Sequence, residues 1–254
     1  MFRDSRGLQT LRALALAGAA TFAVAPAFET AGATNLQHGG KGYFMIGWTG
    51  LELDDLNRSL NAQGYPGFAK DYLTIGGGGH AVIGRLVLGG HGHAYRGSDE
   101  SVNLGGINYN TSLDGGAGFF DMGVLAWTHH AFSVTPMVGL GGGGYEIEIN
   151  ERSAPTFDDV LRDPGRSARV SNGAFLIDTS AQFDFIITGD RHHHRGRGGI
   201  LVGIRAGWVF APWVGNWQLD NTEIAGGPDV APTGPYVRFL LGGGGTEDEW
   251  DYDD

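Results

Sequence analysis

Six charged residues, Arg85, Asp121, Asp178, Asp184, Arg205 and Arg238, each stand alone in an apolar or glycine-rich stretch. In AFLIDTSAQFDF, Asp178 and Asp184 alternate with apolar residues and share their positions with Leu176, Ser180 and Gln182. In GILVGIRAGWVF, Arg205 shares its positions with Leu201, Gly203, Gly207 and Val209. Isolated charges of both signs suit one of two tasks. They line an ion path or gate, or they neutralise one another as a plug of salt bridges. Either way, a charge withdrawn from bulk water must be paired or hydrated. His91 and His93 form a second constellation. An i, i+2 pair lies on one face of a strand, with Asp99 and Glu100 close behind. Imidazole and carboxylate together can hold a divalent metal, but the pair has no third ligand beside it in sequence. The alternative is polar filling of an interior. No Ser, His and acid stand out as a catalytic set, so neither enzymatic activity nor a cofactor is expected.

Period-two alternation must position these residues. Eight segments carry it: about 42–53, 71–82, 85–96, 115–128, 131–148, 172–187, 198–211 and 235–243. Alternation of this kind marks a strand with two different faces. One face is apolar throughout, as in Ile200, Val202, Ile204, Ala206, Trp208 and Phe210. The other mixes glycine with the six lone charges, with Gln182 and with His80. A half-buried sheet in water carries many Lys, Glu and Thr on its polar face. Here that face is small and sparsely charged, which fits the inside of a narrow closed barrel. Only 54–62 hints at a helical turn.

Composition agrees. Glycine accounts for 46 of 254 residues, with runs of four at 76–79, 141–144 and 242–245. They sit among aromatic and β-branched residues, unlike a flexible linker. They also lack the lysine and the helix of a phosphate-binding loop. Glycines on a tightly curved sheet relieve crowding and leave space for the few large inward residues. The formal charge of −11 argues against nucleic acid as a partner. The chain has no cysteine, hence no disulfide or thiolate site.

Residues 1–33 read as a signal peptide: Arg3, Arg6 and Arg12, then the uncharged run 13–25, then small-residue cleavage motifs. The run is too short to span a bilayer as a helix. Residues 34–245 are then the barrel, and 246–254 an acidic tail. Long gaps at 54–70, 97–114, 149–171 and 212–234 alternate with shorter ones, one of which holds the basic stretch HHHRGRG at 192–198.

In strand number, face alternation and loop asymmetry, residues 42–243 resemble a small bacterial outer-membrane β-barrel of the eight-stranded OmpA/OmpX sort. Gly234-Pro-Tyr-Val237-Arg-Phe239 matches the glycine and alternating hydrophobics that barrel insertion machinery reads in the last strand of that family. The resemblance implies an all-β, up-and-down transmembrane barrel exported through the Sec pathway. Its implied partners are outer-membrane lipid, the insertion machinery and an extracellular partner met through the long loops. Trp48, Trp127, Trp208, Trp213, Trp217 and the tyrosines would form interface belts. Two competing readings remain. One is a secreted, lipocalin-like barrel that binds a hydrophobic ligand, with the charged face outward. The other is an outer-membrane enzyme or narrow pore.

Overall fold

The computed structural model describes residues 38–97, 99–129, 131–152, 158, 166–188, 197–220 and 222–247. The segment 1–33 that the sequence reads as a signal peptide, most of the HHHRGRG turn and residues 248–254 lie outside the described residues. Eight long strands build the wall: β1 (His38–Gly50), β2 (Asp71–Ile83), β3 (Leu86–Arg96), β5 (Ile107–Val124), β7 (Phe132–Arg152), β9 (Ala174–Thr188), β10 (Arg197–Val214) and β13 (Gly234–Glu247). Between them lie α1 (Asp54–Ala62) and the short strands β4 (Glu100–Leu104), β6 (Trp127–His129), β8 (Ser167–Ser171), β11 (Gln218–Leu219) and β12 (Thr222–Glu223). Each wall strand pairs antiparallel with the next. β13 pairs back onto β1, with Phe44 opposite Leu241, and closes the barrel. Closure leaves the wall itself no free edge. Among the described residues no helix is long and apolar enough to cross a membrane.

The two faces separate as the alternation predicts. Phe44, Ile204, Phe120, Phe239 and Leu241 point outward and are exposed, while Met45, Leu201 and Leu240 point inward and are buried. Large inward side chains sit beside glycine on the neighbouring strand. Tyr43 lies between Gly78 and Gly242, and Asp121 between Gly89 and Gly139. Gly203 faces Asp184, and Gly141 faces Phe119. The close approach is literal at Gly141, where a Cβ would lie 1.9 Å from the Gly118 carbonyl oxygen. Gly118 itself has open space beside it. Gly141→Ala therefore destabilises the barrel by about 1–3 kcal/mol, the range for overpacking. Gly118→Ala is tolerated. Urea titration of the refolded barrel in detergent separates the two.

The gaps at 97–114 and 149–171 are shorter as loops than the sequence suggests. β4 and β5 form a hairpin through Gly105 and Gly106, whose φ of +62° and +90° suit glycine. β7 runs on to Arg152 and pairs with β8, which in turn pairs with β11. In these extensions (ESVNL and SARVS among them) the alternation runs for only a few residues and its inner face is only partly buried, with Val170 and Ile149 packed against the cluster at this end, so it gives a sequence reading little to catch.

At the same end α1 buries Leu56 and Leu60 at i, i+4. They join a cluster with Leu51, Leu53, Tyr72, Tyr95, Leu113, Tyr145 and Trp217. Asn57 exchanges two hydrogen bonds with the Phe68 backbone, at 2.9 and 2.8 Å, and so ties the helix to the segment that returns to β2. Lys70 Nζ donates to Asp54 Oδ1 at 2.6 Å and lowers that carboxyl's pKa, mainly through the hydrogen bond.

Candidate functional site: the charged lumen

Arg205 stands near the middle of β10 and is fully buried. Its guanidinium grips Asp121 of β5 with two bonds, Nη1 to Oδ2 and Nη2 to Oδ1, both 3.0 Å. Nη2 also donates to Asp178 Oδ2 of β9 at 2.6 Å. Nε lies 3.1 Å from Ser180 Oγ and 3.2 Å from Tyr236 Oη. The Tyr236 hydroxyl donates onward to Asp178 at 2.8 Å. One arginine thus ties β5, β9, β10 and β13 across the lumen. The planar fork suits this task because it meets a carboxylate with two parallel bonds.

The network extends to both sides. His91 Nδ1 and His80 Nε2 stand 2.8 and 3.0 Å from Asp121 Oδ2. The Tyr43 hydroxyl is 3.3 Å from His80 Nε2. Lys41 pairs with Asp184, whose carboxylate also accepts from Gln182 at 2.9 and 3.0 Å. Arg238 donates from Nη2 to His93 Nε2 at 3.0 Å and lies over the Tyr236 ring, 3.8 Å from its centroid.

Of the six sequence-derived charges, the structure therefore gathers Asp121, Asp178, Asp184, Arg205 and Arg238 in the lumen. Arg85 is a correction. It is exposed in the two-residue turn between β2 and β3, and donates to the Ala126 carbonyl at 3.4 Å. Alternation carried back from Val87 assigns it inward, but at the turn the chain has already left the wall. Sequence reasoning missed Lys41, which shares its face with Tyr43; alternation puts Tyr236 on the Arg238 face, but the sequence reading gives the tyrosines to the interface belts.

His91 and His93 face the lumen. Their rings stack on Phe119, with centroids 4.8 and 6.2 Å away. Asp99 is exposed on the loop. Potential ligand atoms of His91, Asp121 and Asp178 come within 4.8 Å of one another. The Arg205 guanidinium already bonds both of those carboxylates and supplies the positive charge there. The donor set therefore fits a guanidinium rather than a metal ion.

The aromatic belt also needs correction. Trp48, Trp208 and Trp213 are exposed on the wall and Trp127 on the short strand β6, but Trp217 is buried and donates Nε1–H to the Pro228 carbonyl at 2.8 Å. Tyr43, Tyr72, Tyr95, Tyr145 and Tyr236 are lumen residues. A phenol hydroxyl finds partners inside a polar lumen that an indole-lined exterior lacks.

Apolar side chains outside and paired charges inside are the architecture of a small, eight-stranded outer-membrane β-barrel with a filled lumen. A soluble lipocalin-like barrel would place Arg205, Asp184 and Arg238 outside, whereas none is more than 1% exposed. No protein-family model and no curated protein matches the chain. Among solved structures, Ail, the attachment invasion locus protein of Yersinia pestis, bound to the heparin analogue sucrose octasulfate, aligns with 83% of this chain and 98% of its own. The identity is 9% and the TM-score 0.42. Another structure of Ail aligns with 82% of this chain and 98% of its own, at 11% identity and a TM-score of 0.38. The outer membrane protease OmpT of Escherichia coli aligns with 87% and 99%, at 11% identity and a TM-score of 0.32. The fold assignment rests on the strand pairing itself.

Proposed function

We propose that this chain is an integral outer-membrane barrel with a structural or surface-interaction role and a lumen closed to solutes. The observation that carries the reading is the inverted polarity of the wall. Phe239 and Leu241 on β13 are each 60% exposed, while Arg238 on the same strand is 1% exposed and Arg205 on the paired strand β10 is 0% exposed. Such a surface suits hydrocarbon. Closure is supported by three layers. Tyr43, Met45, Leu201 and Leu240 pack together below Arg205, toward the turn end. The network itself fills the centre. The cluster under α1 packs above it.

A non-catalytic role fits the fate of the His–Asp pairs, since Asp121 is buried and already engaged by Arg205. The polar hairpins at the long-loop end are the natural surface for an extracellular partner. The turn end then faces the periplasm after Sec export and signal-peptide removal. Val237 and Phe239 project outward from β13, where insertion machinery would read them.

Gel mobility of the detergent-extracted membrane fraction, unboiled against boiled, tests the barrel. The expected result is an SDS-resistant band that shifts on heating. A soluble protein that never shifts would overturn the reading. Planar bilayers test closure, with no current steps expected; discrete conductance would replace the plug by a pore.

A further inference from the structure

Arg238 is 1% exposed, yet it contacts no carboxylate among the described residues. The lumen acids are committed elsewhere, Asp121 and Asp178 to Arg205, and Asp184 to Lys41. Arg238 keeps only a neutral ring nitrogen of His93 and the face of Tyr236. Its Nε and Nη1 have no hydrogen-bond partner, and neither do the buried Nδ1 of His93 and Oγ1 of Thr74.

These atoms belong to one patch of wall. Gly47 pairs with Arg238 on one side and Thr74 on the other, and Gly76 pairs with His93. A Cβ on Gly47 would lie 2.9 Å from Arg238 Cγ, and one on Gly76 2.8 Å from His93 Cβ. The two glycines let the arginine cross β1 and meet the histidine. Arginine has no acceptor, so His93 Nε2 accepts from it and the proton of a neutral His93 lies on Nδ1. The patch therefore offers three N–H groups of Arg238 and the Thr74 hydroxyl, while His93, which accepts from Arg238 through Nε2, turns its Nδ1–H away to the other side of the ring.

We propose that Arg238 and Thr74, with His93 positioning the guanidinium, form a buried site for a small monovalent anion of halide size. A cationic guanidinium with unmatched buried donors and no carboxylate partner favours an anion, because a buried donor left unmet costs about 1–3 kcal/mol and an unpaired buried charge costs more. The site completes the packing of the lumen and requires no pathway through it.

The test is refolding of the full chain into detergent at constant ionic strength, in sodium chloride, bromide or gluconate. The readout is the temperature at which the SDS-resistant band disappears. A midpoint several degrees higher in chloride and bromide than in gluconate, rising with halide and then saturating, is expected. Arg238→Gln and Thr74→Val should weaken that dependence. Bromide-grown crystals locate the ion independently, and an anomalous peak beside Arg238 is expected even if the variants do not fold. Equal midpoints in all three salts, or density there that fits water only, would overturn the proposal. A halide effect retained in full by Arg238→Gln would do so as well.

Discussion

Arg205→Met costs the barrel about 3–5 kcal/mol, the range for breaking one partner out of a buried ion pair. Methionine fills most of the space, so packing is a minor part of the loss. The larger part is electrostatic. Asp121 and Asp178 are each fully buried, with oxygens within 4.8 Å of one another. Without the guanidinium they face each other as uncompensated like charges. The His80 and His91 rings remain beside Asp121, but Asp178 keeps only the Ser180 and Tyr236 hydroxyls. The measurement is urea unfolding of the refolded barrel, followed by loss of the heat-modifiable band. Adding Asp121→Asn and Asp178→Asn to the methionine variant restores most of the stability, because amides fill the same space without charge. Recovery in the triple variant assigns the loss to charge. A triple variant no better than Arg205→Met would assign it to packing and geometry instead.

The wall and most of the lumen were legible because β structure writes its faces at every second residue. Asp178, Gln182 and Asp184 are inward for the same reason that Phe175, Phe183 and Phe185 are outward. Legibility fails where that rule stops. Arg85 follows a glycine at φ +61° in a two-residue turn, so strand parity no longer sets its direction. Trp217 belongs to the cap over the barrel mouth with α1, whose helical turn is legible at 54–62 but whose packing depends on which loops meet there. Pairings were not legible at all. Parity says that Arg205, Asp121 and Asp178 point inward. It does not say that one arginine serves both acids while Arg238 has none. That depends on the stagger of the strands around the barrel, which brings β5 and β9 to the level of β10. The glycines were legible in purpose but not in position, because their partners are residues on adjacent strands, as Gly47 is for Arg238.

Ile204→Arg makes the complementary case on the other face. Ile204 directly precedes Arg205, is 41% exposed, and lies between Phe239 and Phe183 on the neighbouring strands. It stands near the middle of β10, so in a bilayer it meets hydrocarbon. An arginine there costs about 2–4 kcal/mol at the midplane of a membrane barrel. The same change on a water-facing wall would alter stability by no more than about 0.5 kcal/mol. Folding into lipid vesicles at increasing urea reads the difference, with Ile204→Leu as the apolar control. A midpoint lowered for arginine and unchanged for leucine is expected. An unchanged midpoint for arginine would mean that this wall meets water, and the membrane reading would fall with it. Adjacent positions thus carry opposite demands. Residue 205 must be charged because its partners are buried acids, and residue 204 must not be, because its surroundings supply none.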